Sequence, residues 1–173
     1  MEVKTDKEKD KGKPSVILMD LGKVILYSKE KLPGKMNPRH KELLRTKGED
    51  YPFFDYFGVN KKLLELLADI KGDFGIYMIT EGTIQNHPPL REKLESAFDF
   101  EKVISTGALG LDKKKTEAYE YVVQELGVEP SEILFVDDSP DNIKAASEVG
   151  LQVIQSASED QVISETKEKL ELI

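Results

Sequence analysis

Three carboxylates, a threonine and a lysine carry the chemistry open to this chain. Asp20 closes the apolar run Val16-Ile-Leu-Met, Thr80 closes Phe74–Ile79, and Asp137 with Asp138 closes Ile133–Val136. Lys113 follows a shorter stretch at Lys102–Ser105. Short apolar runs of this kind suit strands buried on both faces. Parallel strands bring their C-terminal ends to one edge, where open α/β sheets bind ligands. Asp20 alone could equally cap its own turn through a local hydrogen bond. Several carboxylates gathered at one edge are a different matter, because they repel and raise one another's pKa. A hard cation removes that conflict, and Mg²⁺ takes one or two carboxylates together with waters and phosphate. The Thr80 hydroxyl and the Lys113 ammonium add a donor and a positive charge suited to a phosphoryl group. A helix start at Ser139-Pro140 adds its positive dipole end. Together these groups describe a phosphoryl-transfer site with an aspartate nucleophile.

The elements that must position these groups alternate along the chain. After the first strand, Asn60 caps a helix running to about Lys71, with Leu63, Leu66, Leu67 and Ile70 at helical spacing and Gly72 at its end. A strand at Phe74–Ile79 follows, then a helix at about Leu90–Ala97 and the strand Lys102–Ser105. A helix at about Lys115–Leu126 is closed by Gly127. The fourth strand precedes a helix with Ser139 as N-cap and Pro140 at its first position, closed by Gly150. Leu151–Ile154 is the fifth strand, and Ser158 with Gln161 forms a capping box for the last helix. This alternation predicts an α/β fold, a doubly wound, mostly parallel five-stranded sheet with helices on both faces.

Two regions stand outside that pattern. Residues 1–14 form a charged segment with almost no apolar side chains and are expected to be a flexible tail. Residues 28–57 carry Pro33, Gly34, Pro38, Gly48 and Pro52, then Tyr51, Phe53, Phe54, Tyr56 and Phe57. They read as a short cap inserted into a core of residues 15–27 and 58–173, with one helix near Pro38–Thr46. The aromatics are expected to form the insertion's own small core, with enough of them exposed to allow a dimer. Arg39, His40 and Lys41 are expected on a solvated face.

The chain has 173 residues, 39% hydrophobic and 34% charged, with a net charge of −8. That balance argues against nucleic acid or an anionic membrane as partner. With no cysteine there is neither a disulfide frame nor a thiolate metal site, and two histidines are too few for a His-rich zinc site. No apolar run approaches the roughly 20 residues of a membrane span, and no signal peptide is evident. A cytoplasmic location is expected.

In four motifs taken in order, residues 15–155 resemble the haloacid dehalogenase-like (HAD) hydrolases: Ile-Leu-Met-Asp20-Leu-Gly, Ile-Tyr-Met-Ile-Thr80, Gly110-Leu-Asp-Lys113 and Leu-Phe-Val-Asp137-Asp138-Ser-Pro-Asp-Asn142. The resemblance implies a Rossmann-like core and an Asp20 nucleophile that takes up the phosphoryl group. It implies that Asp20, the Gly22 backbone carbonyl and Asp137 hold Mg²⁺, with Asp138 supporting that shell through water. Thr80, with Glu81 beside it, and Lys113 form the phosphate side. The implied substrate is a small phosphorylated metabolite or sugar phosphate, acted on by a monomer or homodimer.

Three positions depart from the family pattern. Gly22 stands where these phosphatases usually have a second Asp that protonates the leaving group, help worth roughly 10²–10⁴ in rate. Glu81 stands where Asn is usual, and Lys114 where Pro is usual; Lys114 and Lys115 read as a solvated helix start. An Asp-Leu-Gly-x-Val subgroup shares the glycine. Two alternatives to a phosphatase follow: a catalytically degenerate relative that binds a phosphorylated ligand or a protein, and a metal-free dehalogenase, against which the acidic pair at Asp137-Asp138 argues.

Overall fold

The computed structural model describes residues 12–31, 34–97 and 99–172. The first run forms strand β1 (Val16–Asp20) and then turns sharply into β2 (Leu26–Ser28). Helices α1 (Met36–Lys47) and α2 (Phe53–Tyr56) follow, and β3 (Phe57–Val59) returns to pair antiparallel with β2. Residues 29–56 are therefore an excursion out of a two-stranded stem. The core resumes with α3 (Lys61–Ile70), β4 (Gly75–Thr80), α4 (Pro88–Ala97), β5 (Lys102–Ser105), α5 (Thr116–Leu126), β6 (Ile133–Asp137), α6 (Pro140–Val149), β7 (Gln152–Gln155) and α7 (Glu159–Lys169).

The five core strands lie in the order β5-β4-β1-β6-β7, all parallel. Strand β1 is central, which is why every residue from Val16 to Met19 is buried: neither face meets water. Alternation splits the core. Ile17, Met19, Leu134 and Val136 pack with Leu63, Leu67, Leu90 and Val162 from α3, α4 and α7. Val16, Leu18, Ile133 and Phe135 pack with Ala118, Tyr119, Val122, Ala145 and Ala146 from α5 and α6. The expected doubly wound architecture is what the chain adopts.

The helix ends follow their sequence signals except at Gly72: α3 ends at Ile70 with Lys71 still right-handed, and Gly72 does not adopt the left-handed conformation of a closing glycine. Asn60 accepts from the Leu63 N–H, Ser139 from Asn142 and Ser158 from Gln161, and Gly127 and Gly150 close their helices in the left-handed conformation. The charged tail expected at 1–14 falls mostly outside the described residues; Pro14 is buried, and the Gly12 carbonyl accepts from Gln152. Three expectations for the excursion need correction. Its aromatics do not form a core of their own: Tyr51, Phe53 and Phe57 join the cluster that holds Ile17, Met19, Leu63 and Leu90. Tyr51, Phe53 and Phe57 are buried and Phe54 and Tyr56 partly so, which removes the exposed patch on which a dimer was argued. His40 is buried rather than solvated, because α1 turns it inward against Tyr51, Phe53 and His87. Arg39 stays at the surface between Glu30 and Glu42. No helix among the described residues is long and apolar enough to cross a membrane.

Candidate active site

Asp20 is the last residue of β1 and Asp137 the last of β6, its neighbour in the sheet. Thr80 ends β4 on the other side of β1, one residue beyond the Asp20–Ile79 register pair. The fold thus sets these three at one edge, as anticipated. Lys113 comes from the loop between β5 and α5 and reaches between two of them. Its Nζ is 2.8 Å from Asp20 Oδ1 and 2.8 Å from Asp137 Oδ2. Lys114 and Lys115 point to solvent.

Asp137 is completely buried and accepts two further hydrogen bonds, from the Ser139 N–H at 2.8 Å and from Asn142 Nδ2 at 3.0 Å. A carboxylate held by an ammonium, an amide side chain and a helix-start N–H has its orientation set before any ligand arrives. Asp138 is less buried, with Lys23 Nζ 3.8 Å away. One oxygen from each of Asp20, Asp137 and Asp138 lies within 4.8 Å of the others.

The electrostatics show an excess of negative charge. Burial pushes the Asp20 carboxyl up to about 7; Lys113 pulls against that rise and Asp137 adds to it. Burial works against the Lys113 ammonium too, but Asp20 and Asp137 outweigh it and hold the lysine above its usual range. Asp138 is raised by burial and then by Asp137. Two ammoniums, the buried Lys113 and the more exposed Lys23, face three carboxylates, which leaves a donor set of hard oxygens suited to a divalent cation.

The turn after Asp20 is built by backbone bonds. Ile25 and Leu26 N–H both donate to the Leu21 carbonyl, at 2.9 and 2.8 Å, and Lys23 N–H donates to Leu26 at 2.7 Å. These bonds bypass the Gly22 carbonyl. The left-handed residue is Lys23, with φ 59°, and not Gly22. A Cβ at Gly22 would meet only the Met36 methyl, at 3.5 Å, an ordinary contact. Backbone geometry therefore does not demand glycine there. Around this turn lies a cavity of about 370 Å³ bordered by Lys23, Tyr27, Ser28, Met36, Asp138 and Ser156.

On the β4 side, Thr80 is buried and its carbonyl accepts from Thr106 N–H at 2.9 Å, while Glu81 is exposed. Gly82 lets the Asn37 side chain of α1 approach: a Cβ there would collide with the Asn37 amide.

Tyr119 and Ser156 were not anticipated at this edge. The fully buried Tyr119 hydroxyl donates to the Lys113 carbonyl at 2.7 Å, fixing the turn that aims the lysine. In sequence Tyr119 is only one more residue of the α5 inner stripe. Ser156 N–H donates to the Asp137 carbonyl and its hydroxyl to the Lys23 carbonyl, both at 2.8 Å, tying the end of β7 to the turn after β1. Asn142 was visible as part of the fourth motif, but its bond to Asp137 was not.

A central parallel sheet with an acidic, lysine-bridged edge defines an α/β protein of Rossmann-like type. Residues 16–150 match the model of the haloacid dehalogenase-like hydrolases, and the chain belongs to that family. It is 33% identical over 111 residues to a flavin mononucleotide hydrolase of Arabidopsis thaliana, covering 64% of this chain and 42% of that one. It is 47% identical over 47 residues to an enolase-phosphatase of Aquifex aeolicus, covering 27% and 21%. A sesquiterpene phosphatase of Aspergillus oryzae is 30% identical over 91 residues, covering 52% and 46%. The chain spans less than half the length of each of these relatives. Among solved structures, a HAD family enzyme of Bacteroides thetaiotaomicron in complex with magnesium and inorganic phosphate superposes with a TM-score of 0.61 at 16% identity, over 84% of this chain and 96% of that one. A predicted HAD-like hydrolase of Porphyromonas gingivalis gives 0.62 at 15% identity, over 90% and 98%.

Proposed function

We propose that this chain is a magnesium-dependent phosphomonoester hydrolase acting through an aspartyl-phosphate on Asp20. The observation that carries the reading is the single Lys113 ammonium shared by Asp20 and Asp137 in an all-oxygen cluster with Asp138. Asp20, the Gly22 carbonyl and Asp137 would hold Mg²⁺, with Asp138 behind them; when bound, the ion neutralises the carboxylates and the phosphoryl oxygens. Magnesium in the Bacteroides neighbour and the phosphatase names of the relatives support the same reading.

In the reaction an Asp20 oxygen attacks phosphorus, the new O–P bond forms, and the ester O–P bond breaks with its electrons leaving on the alcohol oxygen. Lys113 offsets charge on nucleophile and phosphoryl group, and the Thr80 hydroxyl donates to a phosphoryl oxygen. Water then cleaves the acyl phosphate, returning Asp20 and releasing phosphate. Exposed Glu81 borders the phosphate side and turns its charge to solvent. Residues 28–57 act as a small cap, and the cavity beside Met36 and Asp138 takes the leaving group of a small phosphorylated metabolite or sugar phosphate.

Gly22 supplies no acid for the leaving oxygen. Esters that leave as stable anions, such as aryl phosphates, should therefore turn over faster than alkyl phosphates. The same residue favours the second reading, a relative that binds phosphorylated ligands without turnover. Hydrolysis of p-nitrophenyl phosphate separates the two. Turnover that needs Mg²⁺ and is lost in Asp20→Asn is expected; magnesium and phosphate binding without turnover would establish the binding protein instead.

A further inference from the structure

The cap meets the core through a second group of buried titratable side chains that the reaction does not use. His40 comes from α1 of the cap, and His87 from the segment that joins the Thr80–Thr83 loop to α4 of the core. Both are more than nine-tenths buried, at 6% and 8% exposure. Their rings lie 4.8 Å apart at 66°, and the His87 ring stacks on Tyr51 at 5.3 Å and 14°. Phe53 packs on both imidazoles. His40 Nδ1 is 2.6 Å from the Tyr51 hydroxyl, and His87 Nε2 is buried without a hydrogen-bond partner.

The position of His40 links this stack to the catalytic edge. Met36 lies four residues earlier, so both side chains occupy one face of α1. Met36 stands over Gly22 and borders the cavity next to Asp138, while Asn37 rests on Gly82. Whatever seats His40 therefore also seats Met36 and Asn37 on the edge.

We propose that His40, His87 and Tyr51 form an acid-released latch, holding the cap on the catalytic edge while both imidazoles are neutral and freeing it when they take protons. With neutral His40 the Tyr51 hydroxyl can donate to Nδ1; a proton on that nitrogen reverses the bond, so the phenol O–H must turn away and find another acceptor within the stack. Two imidazolium rings 4.8 Å apart repel, and His87 Nε2 has no acceptor to receive a second N–H.

The groups facing the pair agree with this direction. Burial lowers the pKa of His40, and His87 lowers it further. Burial lowers His87 as well, outweighing Glu49 and Asp50, which pull it up. Burial pushes Tyr51 up to about 12, with Arg39 opposing and Tyr56 reinforcing, so it remains a phenol throughout. The latched form thus binds protons less well than the released form, where each histidine returns towards about 6.5. Latching is complete above that pH and weakens below it, by up to about tenfold per pH unit for each imidazole.

The test needs no substrate, so it stands apart from the fate of the phosphatase reading. The two imidazoles, the Met36 methyl and the α1 amides are followed by NMR from pH 8 to 5 in wild-type protein, His87→Phe and His87→Gln. Both histidines are expected to titrate below the ordinary value, with Met36 and α1 shifting at the same midpoint and α5 unmoved. His87→Phe keeps the ring packing without a charge and is expected to remove at least half of that shift; His87→Gln should do the same if phenylalanine does not fit. Ordinary histidine titration, a Met36 methyl that ignores it, or an unchanged shift in both variants would overturn the latch.

Discussion

The acidic sheet edge and the histidine stack under α1 both bury titratable groups, but they neutralise them by opposite means. At the edge, charge is kept and answered with charge: Asp137 is fully buried, yet Lys113, Asn142 and the Ser139 N–H all point at it. In the stack, burial favours removing charge, since His40 and His87 are enclosed by Tyr51 and Phe53 without a buried counter-ion. The first arrangement keeps charged groups side by side; the second encloses rings whose protonation burial disfavours. The edge should therefore respond to cations and the stack to protons.

Removing the proposed nucleophile gives the largest expected effect on the edge. Asp20→Asn should lower phosphatase turnover by at least about a thousandfold, with its melting temperature nearly unchanged, because Lys113 keeps Asp137. Steady-state kinetics beside thermal melting checks both halves.

Lys113→Met is next. It leaves the Asp20 and Asp137 carboxylates facing each other and should destabilise the metal-free protein by about 3–5 kcal/mol in denaturant titrations. Mg²⁺ should recover part of that loss. In wild-type protein the Asp20 carboxyl, raised from 3.8 to about 7, favours folding below about pH 4, and that contribution disappears as pH rises through 7. The melting-temperature gain from Mg²⁺ should accordingly grow between pH 5 and pH 8, and Asp20→Asn should flatten the trend.

Gly22→Asp probes the missing acid. Space for the side chain exists beside Met36, so the variant should fold. Its kcat/KM for alkyl phosphates should rise by about a hundredfold, with much less gain for p-nitrophenyl phosphate. A plot of rate against leaving-group pKa would flatten.

Tyr119→Phe has the smallest effect. It strands the Lys113 carbonyl in the core and should cost about 1–3 kcal/mol of stability, with turnover falling less than tenfold.

The same contrast explains what the sequence disclosed. The edge was legible because each of its strands is a compact apolar run ending in a polar residue, and parallel pairing alone brings those ends together. Asp20, Thr80 and Asp137 followed from that logic, while the choice of Lys113 over Lys114 rested on its register against Gly110 in the third motif. Tyr119 did not, since its hydroxyl contact depends on how the loop before α5 folds back. The stack was illegible for a stronger reason. His40 and His87 belong to no common period, and only the return of the excursion through the β2–β3 stem brings them together. His40 was expected on a solvated face because a weakly amphipathic, charge-rich helix does not reveal which side is covered.

The most direct test of the central claim is to look for the phosphoryl group on Asp20 itself. Wild-type protein is mixed with p-nitrophenyl phosphate and Mg²⁺, quenched in acid within the first turnover, and mapped by mass spectrometry. A transient gain of one phosphoryl group, confined to the peptide containing Asp20 and absent in Asp20→Asn, is the predicted result. Steady product formation with no phosphorylated Asp20 peptide, or the same gain persisting in Asp20→Asn, would contradict it.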